Sequence, residues 1–206
     1  MERIEAVKKI NEIVGQDLRK LADEYAITVF SNGKKNKGWA GHVIERCLGL
    51  PLSSAQAPNF GSWELKTISL KYLKDGSLSV KETMAITMID PYHVEHTEFE
   101  NSHLLSKLQK AVIAARIWVN QQEDSSILYS VTTFDLGNTE LYNQIKEDYN
   151  QARDAIIRGG ENALKSEMGK YIQPRTKGPG KRIRRTRAFY ARTSFLKKFV
   201  IPELYA

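Results

Sequence analysis

The sequence predicts a mixed α/β domain, and three observations carry that expectation. Stretches with apolar residues at helical spacing alternate with stretches of period-two or continuous apolar character. Turn signals separate them: a polar run at 31–38, Asp75-Gly76, Pro91 and Gly159-Gly160. The chain has 206 residues, 41% of them apolar, which is enough for one large domain, or a domain with lobes, built on a real core.

In chain order, residues 2–25 read as one or two helices. Ile4, Val7, Ile10, Ile13 and Val14 recur at helical spacing, and Gly15 is the expected break. "SNGKKNKG" (31–38) reads as a polar loop. In "GWAGHVIERCLGL", residues Trp39, Val43, Ile44, Cys47 and Leu48 form a helical stripe ended by Gly49 and Pro51. Residues 51–62 read as a loop, and "WELKTISL" alternates as a strand. "KDGS" (74–77) is a turn. "ETMAITMID" is a second strand, stopped by Pro91. "NSHLLSKLQKAVI" begins as a short helix capped by Asn101 or Ser102. "AARIWVN" and "SSILYSVTTFDL" read as buried strands. "NTELYNQIKEDYNQARDAIIRGG" is the clearest helix, with Leu141, Ile145, Tyr149, Ala152 and Ile156 on one face and a Gly-Gly stop. A second helix is expected over about 161–168, a mobile basic loop over 175–185, and a short helix before Pro202.

Charge is distributed unevenly. Residues 168–202 hold eleven Lys and Arg and no Asp or Glu, while the rest holds twenty basic and twenty-four acidic residues. A mildly acidic body with a basic C-terminal segment points to a polyanionic partner, with nucleic acid the commonest. The bland alternative is a solvated tail. Tyr171, Phe189, Tyr190, Phe195 and Phe199 among the charges favour an ordered segment. No apolar run reaches the roughly 18 residues of a membrane span. The N-terminal residues lack a signal-peptide pattern, and Cys47 is the single cysteine, so a cytoplasmic protein is expected.

"NFGSWELK" (59–66) is the stretch with chemical content. On a strand, Glu64 and Lys66 share a face. Phosphodiester hydrolysis uses oxygen ligands for a hard cation and a group that positions or deprotonates water. An ordinary charge pair on a strand has the same pattern, so Glu-x-Lys alone leaves both readings open. Glu45 adds context because it lies within an apolar helical stripe, where a charge needs a partner or a role; a helix-edge ion pair is the bland alternative.

"KNKGWAGHVIERCLG", "AQAPNFGSWELKTI" and "ENSHLLSKLQKAV" together resemble consecutive blocks of the MutH mismatch-repair endonucleases and their restriction-enzyme relatives, a branch of the PD-(D/E)XK nuclease superfamily. The resemblance continues through "NQIKEDYNQARDAIIRGG", "GKYIQPRTKG" and "AFYARTSFLKKFV", and so covers most of the chain from about residue 34. It implies a restriction-endonuclease-like core: a mixed central β-sheet flanked by helices, with two lobes around a DNA cleft. The implied division is a helical lobe at about 1–30, a catalytic core at 31–135 and a helical and basic DNA-binding portion at 136–206. The resemblance implies catalytic roles for Glu45, Asn59, Glu64, Lys66 and Lys107, with Mg²⁺ held by Glu45, residue 59 and Glu64. It implies DNA contacts by Arg175 and Lys177, and DNA contact or catalysis by Tyr190. The basic segment adds Lys181, Arg182, Arg184, Arg185 and Arg187 as candidates.

Two departures matter. Asn59 stands where the family has an Asp, and the loop from it to Glu64 is two residues shorter; the segment from Lys177 to Phe189 is also shorter. An amide ligates Mg²⁺ without adding charge. Three accounts of Asn59 stay open: an engineered Asp-to-Asn change, a natural Asn in an inactive site or one using Glu45 or Asp90, or a mere loop turn. The expected function is a Mg²⁺-dependent, sequence-specific double-stranded DNA endonuclease, restriction-type favoured over repair nicking. A non-cleaving DNA-binding protein of the same fold is the alternative, and an RNA- or ribosome-associated protein is supported by charge alone. A homodimer on DNA or a mismatch-repair partner protein is implied as further company. Among other candidates, His93 and His96 read as loop histidines, His103 as a supporting or DNA-contacting residue, and Cys47 and Trp39 as core.

Overall fold

The structure is a computed structural model, and it describes residues 1–50, 61–177 and 186–205. Two helices open the chain, α1 (Arg3–Asn11) and α2 (Leu18–Glu24), broken at Gly15 with φ +87°. Asp17 caps α2, its carboxylate accepting from the Arg19 N–H at 2.9 Å. The expected polar loop at 31–38 instead contains a small antiparallel ribbon, β1 (Phe30–Ser31) with β2 (Lys34–Lys35). Asn32 and Gly33, both at positive φ, form the turn that closes it. Helix α3 (Trp39–Cys47) follows, ended by Gly49 at φ +76°.

The central strand β3 (Glu64–Tyr72) pairs antiparallel with β4 (Leu78–Val80) at its far end and parallel with β6 (Lys110–Ile117) along most of its length. Strand β7 (Leu128–Asp135) adds antiparallel to β6, giving a mixed sheet of order β4-β3-β6-β7. A second, antiparallel sheet has order β5-β9-β8, from β5 (Met84–Ile89), β8 (Ile172–Thr176) and β9 (Arg187–Ala191). Between the strands lie α4 (Pro91–His96), α5 (His103–Leu108) and the long α6 (Thr139–Gly159). A last turn, α7 (Thr193–Phe195), continues as a π turn over Leu196–Val200.

The central strands β3 and β6 are largely buried on both faces, and side-chain alternation sorts the two cores. Leu65, Val112 and Ala114 face a cluster built with α1, α2 and α3. Ile68, Leu70, Ala111, Ile113 and Ala115 face the other cluster, shared with α4, α5, α6 and the second sheet. That double burial explains the continuous apolar run 111–115 in β6. Each large apolar side chain so buried contributes about 1.5–3 kcal/mol. Helix α6 matches its expected face and is capped by Asn138, which accepts from the Leu141 N–H at 2.8 Å.

Several boundaries differ from the sequence expectation. β6 begins at Lys110, so the short helix yields to strand earlier than "AARIWVN" implied. The helix expected at 161–168 is one 3-10 turn, Glu161–Ala163. His93 and His96 lie on α4 rather than in a loop, because Pro91 at its first position and Asp90 as its cap start a helix. Arg175 and Thr176 belong to β8 and Lys177 follows its end, while the remainder of the expected basic loop, 178–185, lies outside the described residues.

Candidate active site

The site forms at the start of β3. Glu64 and Lys66 alternate onto the face that carries Ile68 and Leu70, opposite Ala111 and Ile113 of β6. Over this face lies α5, anchored by Leu104, Leu105 and Leu108 and capped by Ser102, whose hydroxyl accepts from the Leu105 N–H at 3.1 Å. The helix points Lys107 at the strand. Lys66 Nζ donates to Glu64 Oε1 at 2.6 Å, and Lys107 Nζ reaches the same oxygen at 3.3 Å. Glu64 is 1% exposed. Three residues expected from the sequence to act together are therefore in direct contact.

Loss of water pulls the Lys66 ammonium pKa below the ordinary lysine value. The Glu64 carboxylate opposes that shift, while the positive charges of Lys107 and Lys177 add to it. Lys177 is thus close enough to the site for its charge to be felt there. The fourth expected residue, Glu45, is buried on α3. That helix passes close to β3, with Gly41 facing Thr67. Asn59 lies outside the described residues.

A hard divalent cation is commonly held by one or two carboxylates together with substrate phosphate and water. Glu64 is a buried carboxylate suited to that chemistry; Glu45 is a second buried carboxylate, on the helix that packs against the opposite face of β3. Among the described residues no three His, Cys, Asp or Glu side chains cluster as a preformed cage. Asp90, the other acid considered, spends one carboxylate oxygen capping α4, accepting from the N–H groups of Tyr92 at 3.1 Å and His93 at 3.4 Å.

The expected DNA-contact residues separate into groups. Arg175 lies over the Tyr190 ring, 5.6 Å from its centre, and donates to Thr83 Oγ1 at 2.9 Å. Burial raises the Tyr190 pKa, with Arg175 opposing and Glu82 adding to the rise. Lys177 and Thr186 close the base of the β8–β9 connection through two hydrogen bonds. Arg187 donates to the Leu164 carbonyl at 2.9 Å, which gives it a structural tie. Lys181, Arg182, Arg184 and Arg185 lie outside the described residues. His103 stacks on His93, ring centres 4.1 Å apart and planes 13° off parallel. Burial lowers its pKa, as do His93 and Lys107, against the pull of Asp90.

Two buried charge systems lie outside the residues that the sequence patterns single out. Arg116 bonds Glu123 at 2.6 and 3.1 Å, Lys35 joins the same carboxylate, and the guanidinium lies over Trp39. Asp148 is buried on α6, and its position beside Tyr149 within the apolar stripe was the available signal.

A family model described as "DNA mismatch repair enzyme MutH" matches residues 48–154, more than half of the chain. The chain belongs to the MutH family. Curated MutH relatives include DNA mismatch repair proteins MutH from Shewanella woodyi and Actinobacillus pleuropneumoniae serotype 5b. Each is 28% identical over 187 residues, covering 86% of this chain and 76% and 78% of the respective relative. The Vibrio cholerae protein is 25% identical over 224 residues, covering 98% of this chain and 96% of its own. Among solved structures, a restriction endonuclease MvaI–cognate DNA substrate complex covers 97% of both chains at 13% identity and TM-score 0.38, a likeness too distant to bear on function. With the family shown, the observed architecture agrees with the mixed central β-sheet flanked by helices that the sequence resemblance implied. MutH membership supports a DNA endonuclease.

Proposed function

We propose that this protein is a Mg²⁺-dependent, sequence-specific endonuclease of double-stranded DNA, of restriction type rather than a repair nickase. The observation that carries the nuclease reading is the convergence of Lys66 and Lys107 on the buried Glu64 carboxylate within a MutH-family chain. The restriction-type preference rests on modest identity, 25–28%, to the curated repair proteins and on the shortened segment after Lys177.

Glu64, with Glu45 and residue 59, would hold the cation, which when bound supplies positive charge to the reacting phosphate. The protein residues do the remaining work. Lys66, its pKa lowered, has a larger neutral fraction than an ordinary lysine and can accept a proton from the attacking water. Lys107 offers an ammonium to a non-bridging phosphate oxygen where charge develops. Arg175, Lys177 and the residues of 178–185 meet the backbone, and the same segment reads bases in the major groove. An amide at position 59 withholds one negative charge from the cation, and the non-cleaving reading of this fold rests on that feature.

Supercoiled plasmid with Mg²⁺ separates these readings. The expected result is weak or no cutting by the chain as it stands, and linear products from Asn59→Asp. Nicked circles alone would favour repair-type nicking. No gain for Asn59→Asp in either Mg²⁺ or Mn²⁺, on DNA that carries a cleavable site, would support the non-cleaving reading.

A further inference from the structure

Asp148 is 1% exposed and sits among the apolar residues of α6 that face the core. A carboxylate in such a place requires donors. It finds them in backbone: the N–H groups of Lys170 and Tyr171 donate at 2.7 Å and that of Ile172 at 2.8 Å. The Gln144 side-chain amide adds a fourth bond at 3.1 Å. Three consecutive amides converge on one carboxylate only where the chain turns tightly around it. Gly169 makes that turn, at φ +73°; a Cβ there would lie 1.8 Å from the Ile172 carbonyl oxygen.

Arg192 holds the same turn through its carbonyls. Its guanidinium donates to Ser166 at 2.8 Å and to Met168 and Gly169 at 3.0 Å each. The turn is thus fixed on both polarities, amides by an anion and carbonyls by a cation. Ile172, the last amide held, is the first residue of β8.

Among the described residues β8 is an edge strand, paired on one side only, by β9. Strand register decides which face each side chain takes, and a slip of one residue reverses every face. Arg175 lies within β8 and Lys177 just beyond its end, roughly 17 Å from Ile172 at about 3.3 Å per residue. A small change of angle or register at the clamp is therefore magnified where these two cations sit.

We propose that Asp148, together with Arg192, is a positioning residue for DNA binding: by fixing the entry to edge strand β8 it aims Arg175 and Lys177 at the phosphate backbone. The inference rests on the reading of those two residues as DNA contacts. Neither Asp148 nor Arg192 needs to touch DNA for this role.

The test is duplex-DNA affinity across a salt series, with chelator present, for the full chain, Asp148→Asn, Lys177→Ala and the double variant. The folded fraction of each is measured alongside. Each phosphate contact contributes about 0.9 to the slope of log K against log salt. For Asp148→Asn the slope is expected to fall by about one or more, and Lys177→Ala should add nothing in that background. Loss of folded protein alone would lower the active fraction and leave the slope intact. An unchanged slope in folded Asp148→Asn, or full additivity with Lys177→Ala, overturns the proposal. If Lys177→Ala by itself leaves the slope unchanged, the DNA-contact reading of Lys177 falls and takes the proposal with it, an outcome distinct from the other two. Should Asp148→Asn fail to fold, Arg192→Lys decides: it keeps the charge but loses the fork across three carbonyls, and the same fall in slope is expected.

Discussion

Glu64 and Asp148 are both carboxylates at 1% exposure, and they are held in opposite ways. The partners of Glu64 include two ammonium groups on flexible four-carbon stems. Asp148 is held by three consecutive backbone amides. A backbone amide cannot leave without local unfolding, whereas an ammonium can swing aside or lose its proton. The first arrangement suits a site that must exchange partners for a cation, a phosphate and water. The second suits a joint that must not move. The difference teaches that burial of a charge does not identify an active site; the mobility of its counter-groups is more informative.

Breaking the exchangeable half should give the largest effect. In an Asn59→Asp background, Lys66→Met is expected to slow cleavage by about 10²–10⁴-fold with DNA affinity nearly unchanged, as single-turnover assays would show. Its melting temperature should stay level or rise, because the fold already disfavours the charged form of this lysine. A large loss of stability would instead make Lys66 structural and erase the contrast.

Breaking the fixed half should have the opposite signature. Asp148→Ala leaves buried amides without their acceptor and is expected to cost about 3 kcal/mol or more, read from urea midpoints. Gly169→Ala should cost roughly 1–3 kcal/mol, since its φ and the close Ile172 carbonyl both oppose a side chain. Stability within error of the parent for either variant would dismiss the clamp.

A third carboxylate gives a smaller, pH-dependent effect. Burial pushes the Asp17 pKa up, but the Ser126 N–H, the Ser125 hydroxyl and the Arg19 N–H outweigh it and hold it below the usual value. A depressed folded-state pKa gives stability that is present above the unfolded value, about 3.9, and is lost as pH falls through the folded one. The stability gap between the parent and Asp17→Asn should therefore be flat above about pH 5 and shrink below it. A gap that persists unchanged at pH 2 would contradict the assignment. The smallest effect is expected at the exposed Lys146–Glu100 pair, 2.6 Å apart: Lys146→Ala should leave the melting temperature unchanged.

One half of this contrast, the Glu64–Lys66 pair and the elements around it, is legible in the sequence. Helices α3 and α6 and strand β3 follow from clear periodicity, and the i, i+2 spacing alone puts Glu64 and Lys66 on one face. Lys107 is different, because it lies 43 positions from Glu64 and no local pattern joins them. Only the order of family blocks brought it to the site, and the packing of α5 on β3 and β6 supplies the physical link. The β1–β2 ribbon escaped notice because two-residue strands carry no periodicity, although Asn32-Gly33 was a turn signal. α4 is hidden in the sequence because Pro91 ends the preceding strand and at the same time starts the helix at its first position. The Asp148 clamp escaped because its partners are backbone amides, which no side-chain pattern reveals.

The central claim is that the Glu64–Lys66–Lys107 constellation is the active centre of a Mg²⁺-dependent DNA endonuclease. Digestion of a random-sequence duplex library, with Mg²⁺, by the chain as it stands, by Asn59→Asp and by Asn59→Asp/Lys66→Met tests it most directly. The account predicts fragments ending at one recurrent short sequence for Asn59→Asp, far fewer for the unaltered chain, and none above background for the double variant. Cleavage that survives Lys66→Met, or no Mg²⁺-dependent cleavage by any of the three proteins, would contradict it.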